Sequence, residues 1–69
     1  MAIYLWAIAR DNHGVIEYYA DEFPGTDIVR WVIEADDAAV FEIRGWAEAV
    51  KDELMRQGFT QVFVTVVRV

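Results

Sequence analysis

Carboxylates are the side chains that this sequence supplies in number for chemistry. Six of them stand in two groups, one around a Pro-Gly turn and one after an apolar stretch: Asp21, Glu22, Asp27, Glu34, Asp36 and Asp37. Grouped carboxylate oxygens can hold Mg²⁺ or Ca²⁺, but this spacing matches no calcium-binding loop. Helix capping alone explains Asp36 and Asp37. We therefore predict structural or solvated acids and no metal site.

Nucleophilic catalysis has few candidate residues in this chain. The sequence contains no serine and no cysteine, so the usual pairs of nucleophile and general base cannot form. His13, the single histidine, stands in the turn sequence DNHG, where we expect it to be solvated. The four glycines lie too far apart for a phosphate-binding loop. We predict a protein that is not an enzyme, with no catalytic residue and no cofactor.

The negative charge is concentrated in the first half of the chain. The net charge is −6, and residues 1–37 carry all of it, with eight acids against Arg10 and Arg30. Direct binding to nucleic acid is disfavoured, because phosphates require a basic surface. An acidic surface suits a basic protein partner instead, including one that itself binds nucleic acid. The alternative is that the acids only keep the protein soluble.

Candidate partner-binding residues are therefore the acids of this half and two phenylalanines as apolar anchors: Asp21, Glu22, Phe23, Asp27, Glu34, Asp36, Asp37 and Phe41. A second surface is suggested by composition, because 57% of the 69 residues are hydrophobic and a domain this small has little interior. Its aromatic residues are expected to converge on the sheet face that a single helix leaves uncovered: Tyr4, Trp6, Tyr18 and Phe63. That face would form a homodimer interface.

One long amphipathic helix is predicted to position these groups, from Asp36 to Gln57. Apolar residues recur along it at three- and four-residue steps and should face the core: Ala39, Ile43, Trp46, Ala47, Val50 and Leu54. Asp36 or Asp37 would cap its first turn, and Gly58 would end it. The competing interpretation makes AAVFEIR a strand and begins the helix near Gly45, since an internal glycine disfavours helix.

Four apolar segments read as strands: residues 2–10, 15–20, 28–35 and 59–69. The predicted fold is a single α+β domain over residues 1–69, a four-stranded, mainly antiparallel sheet with one helix on one face, in the order β-β-β-α-β. If the third and fourth strands are parallel neighbours, their crossover should be right-handed. No basic leader and no membrane-length apolar run is present. We expect a cytoplasmic protein.

Two families resemble parts of the chain. The element order, the hairpin glycine Gly14 and the segment Phe23-Pro24-Gly25 resemble the small domain of HicB-type antitoxins over about residues 3–57. That resemblance implies a small, basic RNA-cleaving toxin as partner. The stretch ADDA, followed by Ile43 and the segment Gly45-Trp46-Ala47, resembles acidic phage anti-CRISPR inhibitors. This second resemblance implies that the chain blocks a nucleic-acid-binding surface of a CRISPR effector complex in the host cytoplasm.

Three non-enzymatic functions are thus expected, and the first of them is preferred. The first is a non-enzymatic inhibitor, such as an anti-CRISPR, that covers a basic nucleic-acid-binding surface with its acidic half. The second is a HicB-like antitoxin that neutralises a small basic RNase. The third is a structural homodimer with no inhibitory role. An enzyme that uses the carboxylates with a divalent metal ranks behind the inhibitor and the homodimer.

Overall fold

The computed structural model describes residues 4–20 and 29–68 and arranges them as one antiparallel sheet with one helix. The sheet has four strands: β1 Tyr4–Asn12, β2 Val15–Tyr19, β3 Trp31–Val32 and β4 Val62–Arg68. Helix α1, Arg44–Arg56, follows a 3-10 turn at Ala35–Asp37. The predicted α+β class and the order β-β-β-α-β are confirmed, with the 3-10 turn as an addition. No helix in the described ranges has the length and apolar character needed to cross a membrane.

Strands β1 and β2 form the predicted hairpin. Asn12 pairs with Val15, so the loop consists of His13 and Gly14 alone. Both loop residues have a positive φ, 55° and 88°, as a type I′ turn requires. The Gly14 N–H donates to Asp11 Oδ1 at 2.8 Å, which adds a local bond to the turn. The DNHG sequence therefore specifies the turn directly.

The strand order is β3-β2-β1-β4, with every pair of neighbours antiparallel. The third and fourth strands lie at opposite edges, so the conditional parallel crossover does not occur. β3 is also shorter than predicted, because only Trp31 and Val32 pair with Tyr19 and Tyr18. After Val32 the chain bends away from the sheet into the 3-10 turn.

The predicted helix start at Asp36 is wrong, because residues 39–41 are not helical and hydrogen-bond to the sheet. Phe41 and Trp6 exchange two backbone hydrogen bonds of 2.8 Å, and the Ala39 N–H donates to the Tyr19 carbonyl at 3.0 Å. This segment fills the gap that opens where β1 and β2 separate beyond the Ala9–Tyr18 pair. Extended backbone here satisfies sheet groups that a helix would leave unpaired. The competing interpretation, with the helix near Gly45, agrees with the structure.

The end of α1 was predicted correctly at Gly58. Gly58 has φ 107°, which glycine tolerates, and its N–H donates to the Met55 carbonyl at 3.1 Å. The Phe59 N–H donates to the Leu54 carbonyl at 3.2 Å, which completes a Schellman motif. Phe59 also packs against the core cluster that contains Leu54. Backbone and side chain together fix where the chain leaves the helix.

The core lies between α1 and one face of the sheet. Its buried cluster draws on the helix, two strands and the bridging segment: Ile8, Tyr19, Phe41, Ala47, Val50 and Leu54. Ile43 and Trp46 were predicted to belong to this helical stripe but are exposed. Ile43 precedes the first helical residue, in extended backbone, and Trp46 lies at the side of the buried stripe. The error at Ile43 follows from extending the helical period through a segment that is not helical, whereas Trp46 is helical but lies outside the buried stripe.

The strand register separates the predicted aromatic face into two. Trp6 pairs with Val66 and packs against the core, so it lies on the helix side, and Tyr4 shares that side by alternation. Phe63 and Tyr18 both pair with Ala9 and therefore lie on the opposite side, here called the far face. The expected convergence of Tyr4, Trp6, Tyr18 and Phe63 is wrong. A shift of one residue reverses the face to which every side chain points.

Candidate protein-binding surface

An exposed, acidic segment, residues 33–40, joins β3 to Phe41. We call it the acidic connection. Its backbone is held by two turn bonds, from the Asp37 N–H to the Glu34 carbonyl at 3.0 Å and from the Ala38 N–H to the Ala35 carbonyl at 3.1 Å. This 3-10 turn presents Glu34, Asp36 and Asp37 to solvent. Three of the predicted partner-binding acids are thereby brought together, although they cap no helix.

Exposed aliphatic side chains lie beside these acids. Ile33 is 67% exposed and Val40 is 46% exposed, at the two ends of the acidic connection. Val40 and Asp36 also line an open depression of about 380 Å³ with Leu5 and Tyr18. The acids therefore border an apolar surface rather than standing alone on a polar loop. Sequence patterning missed Ile33 and Val40, because it assigned Ile33 to a strand and Val40 to the helix, each with a buried side.

The acids of the connection lack the partners that other acids in the molecule have. Glu34, Asp36 and Asp37 form no ion pair with any residue in the described ranges. In contrast, Glu17 accepts from Arg10 at 2.8 Å in the hairpin, and Glu48 lies 2.9 Å from Lys51 in the helix. The charge of the connection is therefore not neutralised by neighbouring side chains.

Ion pairs along α1 change the acidity of its carboxylates. A hydrogen bond from Lys51 lowers the pKa of Glu48, and a hydrogen bond from Arg56 lowers the pKa of Glu53. The pKa of Lys51 is raised by the same bond to Glu48. These groups are exposed, so the pairs are screened by water and contribute little to stability. The ion pairs do, however, neutralise the charges of Glu48 and Glu53 within the helix.

The remaining predicted partner-binding residues have different outcomes. Asp21, Glu22, Phe23 and Asp27 lie outside the described residues. Phe41 was predicted to be an exposed anchor, and this is wrong, because it is only 6% exposed and belongs to the core. Its backbone pairs with β1, which turns its ring towards the helix. Trp46, 53% exposed with its ring centroid 6.1 Å from that of Phe41, is the aromatic residue that this region presents instead.

A second cluster, around Arg10, has a structural explanation. Its guanidinium carbon lies 4.2 Å from the Trp31 ring centroid and 5.7 Å from that of Phe59, within cation–π distance. Its Nε donates to Glu17 Oε1 at 2.8 Å. Arg10 thus ties β1, β2, β3 and the end of the helix together. His13, in the adjoining turn, is exposed.

The described residues bring together no group of side chains that could hold a metal ion. Within residues 4–20 and 29–68, no three histidine, aspartate or glutamate side chains converge as metal ligands. What the surface offers is shape and charge: free carboxylates, exposed aliphatic groups and an exposed indole. Such a surface is suited to recognising another macromolecule. Comparison of the chain with protein-family models, with curated proteins and with solved structures finds no match.

Proposed function

We propose that this chain is a non-enzymatic protein inhibitor that binds a basic, nucleic-acid-binding surface of a larger protein through its acidic connection. The observation that carries the proposal is the exposed set of carboxylates Glu34, Asp36 and Asp37, between the exposed Ile33 and Val40. These acids form no ion pair with any side chain in the part of the chain that the structure describes. A basic protein would supply the cations that these carboxylates lack, and the aliphatic groups would be buried at the contact.

Solubility alone accounts less well for this arrangement. Acids that serve only to keep a protein in solution need no particular neighbours, and exposed aliphatic side chains beside them work against solubility. A binding surface needs both, because charge steers the encounter and apolar burial holds the complex. The preferred form of the proposal is an anti-CRISPR that blocks the nucleic-acid-binding surface of an effector complex. The alternative is an antitoxin that covers a small basic RNase.

Inhibition assays distinguish these two forms. The purified chain is added to a panel of CRISPR effector complexes, and binding to labelled target DNA is followed by fluorescence anisotropy. In parallel it is added to small basic RNase toxins, and RNA cleavage is measured. The proposal expects inhibition in one of the two assays, with a strong loss of potency as salt rises, because charge drives association. If the chain inhibits neither the effector complexes nor the RNase toxins, the proposal is contradicted.

Charge reversal then tests the surface itself. The triple variant Glu34→Lys/Asp36→Lys/Asp37→Lys should lose inhibition while its circular dichroism spectrum and melting temperature stay close to the wild type. The matched control, Glu48→Lys/Asp52→Lys/Glu53→Lys, changes the net charge equally but alters the helix, and should still inhibit. Equal inhibition by both variants would show that the acidic connection is not the binding surface.

A further inference from the structure

The outer edge of β4 is free of any strand in the described residues, since β4 is the last strand of the sheet. Trp6 directs its N–H and carbonyl towards Phe41, away from β4. Backbone groups alternate along a strand, so the groups of the neighbouring Ala7 point towards β4. Ala7 pairs with Thr65, so the N–H and carbonyl of Thr65 point towards β1. The N–H and carbonyl groups of Val64 and Val66 therefore point towards the free edge. The Asp11 N–H donates to the Gln61 carbonyl at 3.2 Å, so Asp11, like Ala7, directs its backbone groups towards the β4 side.

This edge has none of the features that usually prevent strand pairing. From Val62 to Val67 the strand contains no charged residue and no proline, and both of its faces are apolar apart from Thr65. Natural proteins protect a free edge with lysine, proline or a very short strand, because an unprotected edge pairs with another chain. The opposite edge, β3, is two residues long and offers little to pair with.

We infer that β4 is a dimerisation edge, which pairs antiparallel with β4 of a second copy about a two-fold axis through Thr65. Thr65 is the central residue of Val62–Arg68, so this register pairs the whole strand. It also sets Val64 opposite Val66 of the second copy, and both residues direct their backbone groups outward. The free N–H and carbonyl groups of Val64 can therefore bond to those of Val66 in the second copy, and the reverse. The two sheets then join as one continuous sheet.

The side chains fit the same register. Phe63 would lie opposite Val67 of the second copy on the far face, and Thr65 opposite Thr65. Aromatic with β-branched residues and threonine with threonine are favourable cross-strand pairs. Val64 and Val66 would face each other on the helix side. Phe63 and Val66 are among the exposed hydrophobic residues of the single chain, and pairing would cover both.

The helix flank above this edge carries charges of both signs. Trp46 contacts Phe41, which lies on the side of β1 away from β4. The flank that faces β4 is therefore the other one, which carries Arg44, Glu48 and Lys51. A two-fold axis perpendicular to the sheet places the two helices antiparallel on the same side. Because Glu48 lies 2.9 Å from Lys51 within each copy, this flank carries no large charge of one sign that would oppose pairing.

Cysteine cross-linking tests the register, because the chain contains no cysteine of its own. Thr65 would lie in a pair without hydrogen bonds, where Cα atoms are about 4.5 Å apart, a distance that a disulfide can span. Thr65→Cys should form a disulfide-linked dimer under mild oxidation. Thr60→Cys, exposed and outside β4, is the control and should remain unlinked. Equal cross-linking of the two variants would overturn the register.

Sedimentation of the full chain tests the dimer itself. The wild type should be dimeric, and Thr65→Lys, which places two ammonium groups opposite each other, should raise the dimer Kd at least tenfold. Thr60→Lys should leave the Kd unchanged. A wild type that stays monomeric at about 1 mM overturns the inference. A dimer that Thr65→Lys does not weaken also overturns it, because the contact must then lie elsewhere.

These experiments do not depend on inhibition, and none of them changes Glu34, Asp36 or Asp37. Dimerisation and the proposed inhibition can therefore fail separately.

Discussion

Helix α1 and the acidic connection both contain several carboxylates but differ in the side chains that surround them. In the helix, Glu48 and Glu53 have basic partners three residues away, and their hydrogen bonds remain within the helix. In the connection, Asp36 and Asp37 follow one another on a tight turn with no basic residue beside them. The helix therefore neutralises its own charge, whereas the connection leaves its charge for solvent or for a partner.

The comparison shows that an acid is neutralised where a basic residue stands three or four positions away on a helix, and that the connection supplies no such residue. Three- and four-residue steps on a helix place opposite charges side by side. A 3-10 turn that is one turn long has no such positions. The negative charge that the sequence concentrates in residues 1–37 is thus expressed, within the described residues, mainly at the connection. The next three predictions test this difference between the two regions, from the largest expected effect to the smallest.

The boundary between the acidic connection and the core should lie between Val40 and Phe41. Phe41→Ala removes a buried ring and should lower the free energy of unfolding by about 3–5 kcal/mol, enough to unfold much of a domain this small. Val40→Ala should change it by no more than about 0.5 kcal/mol, because the side chain is exposed. Urea denaturation measures both. Phe41→Leu, which keeps part of the buried volume, should give a smaller loss of the same sign. Similar losses at residues 40 and 41 would show that the connection is part of the core.

A substitution at Gly45 tests the helical backbone at the start of α1. No atom outside the helix backbone lies within 4 Å of the position that a Cβ would occupy, so alanine fits there. Gly45→Ala should raise the free energy of unfolding by about 0.5–1 kcal/mol, because alanine loses less backbone entropy in a helix. Gly58→Ala is the matched contrast, since φ 107° is unfavourable for alanine, and it should destabilise the chain. A loss of stability at Gly45 would contradict the open space found there.

The ion pairs of the helix should give a small acid dependence of stability. Because pairing lowers the pKa of Glu48 and Glu53 from the usual 4.5, each contributes stability above that pH and loses the contribution as pH falls through its folded pKa. Glu48→Gln/Glu53→Gln should therefore lose less stability below about pH 4.5 than the wild type, as measured by thermal melting. At about 1 M NaCl the difference should shrink, since exposed charges are screened. An unchanged difference in salt would point to another cause.

The sequence predicted the parts of the fold that local chemistry determines. The DNHG turn specifies a hairpin by itself, and Gly58 ends the helix through a backbone conformation that glycine favours. In each case a few neighbouring residues carry the whole signal. The acids Glu34, Asp36 and Asp37, predicted to bind a partner, are exposed, and their role in binding stays a prediction.

Non-local pairing explains what the sequence did not predict. Nothing between Ala39 and Phe41 indicates that β1 and β2 separate and leave a gap, because the gap is set by strands far away in the chain. The pattern of apolar residues there fits a helix as well as a strand, and helical periodicity was therefore extended across it. Tyr4 and Trp6 do lie on one face of β1, but the β4 residues that share that face depend on a register that the sequence does not display.

The pairing of β1 with β4 also bears on how fast the chain folds. Tyr4 lies opposite Arg68, so the first and last described residues are neighbours in the sheet, and the Trp6–Phe41 bridge spans more than half the distance between them. Only the hairpin closes over a short loop. Contacts between distant residues must be formed against loop-closure entropy, which slows folding relative to a helical protein of this size. A chain truncated before β4 would retain the hairpin but leave β1 and the helix without the strand that holds them together.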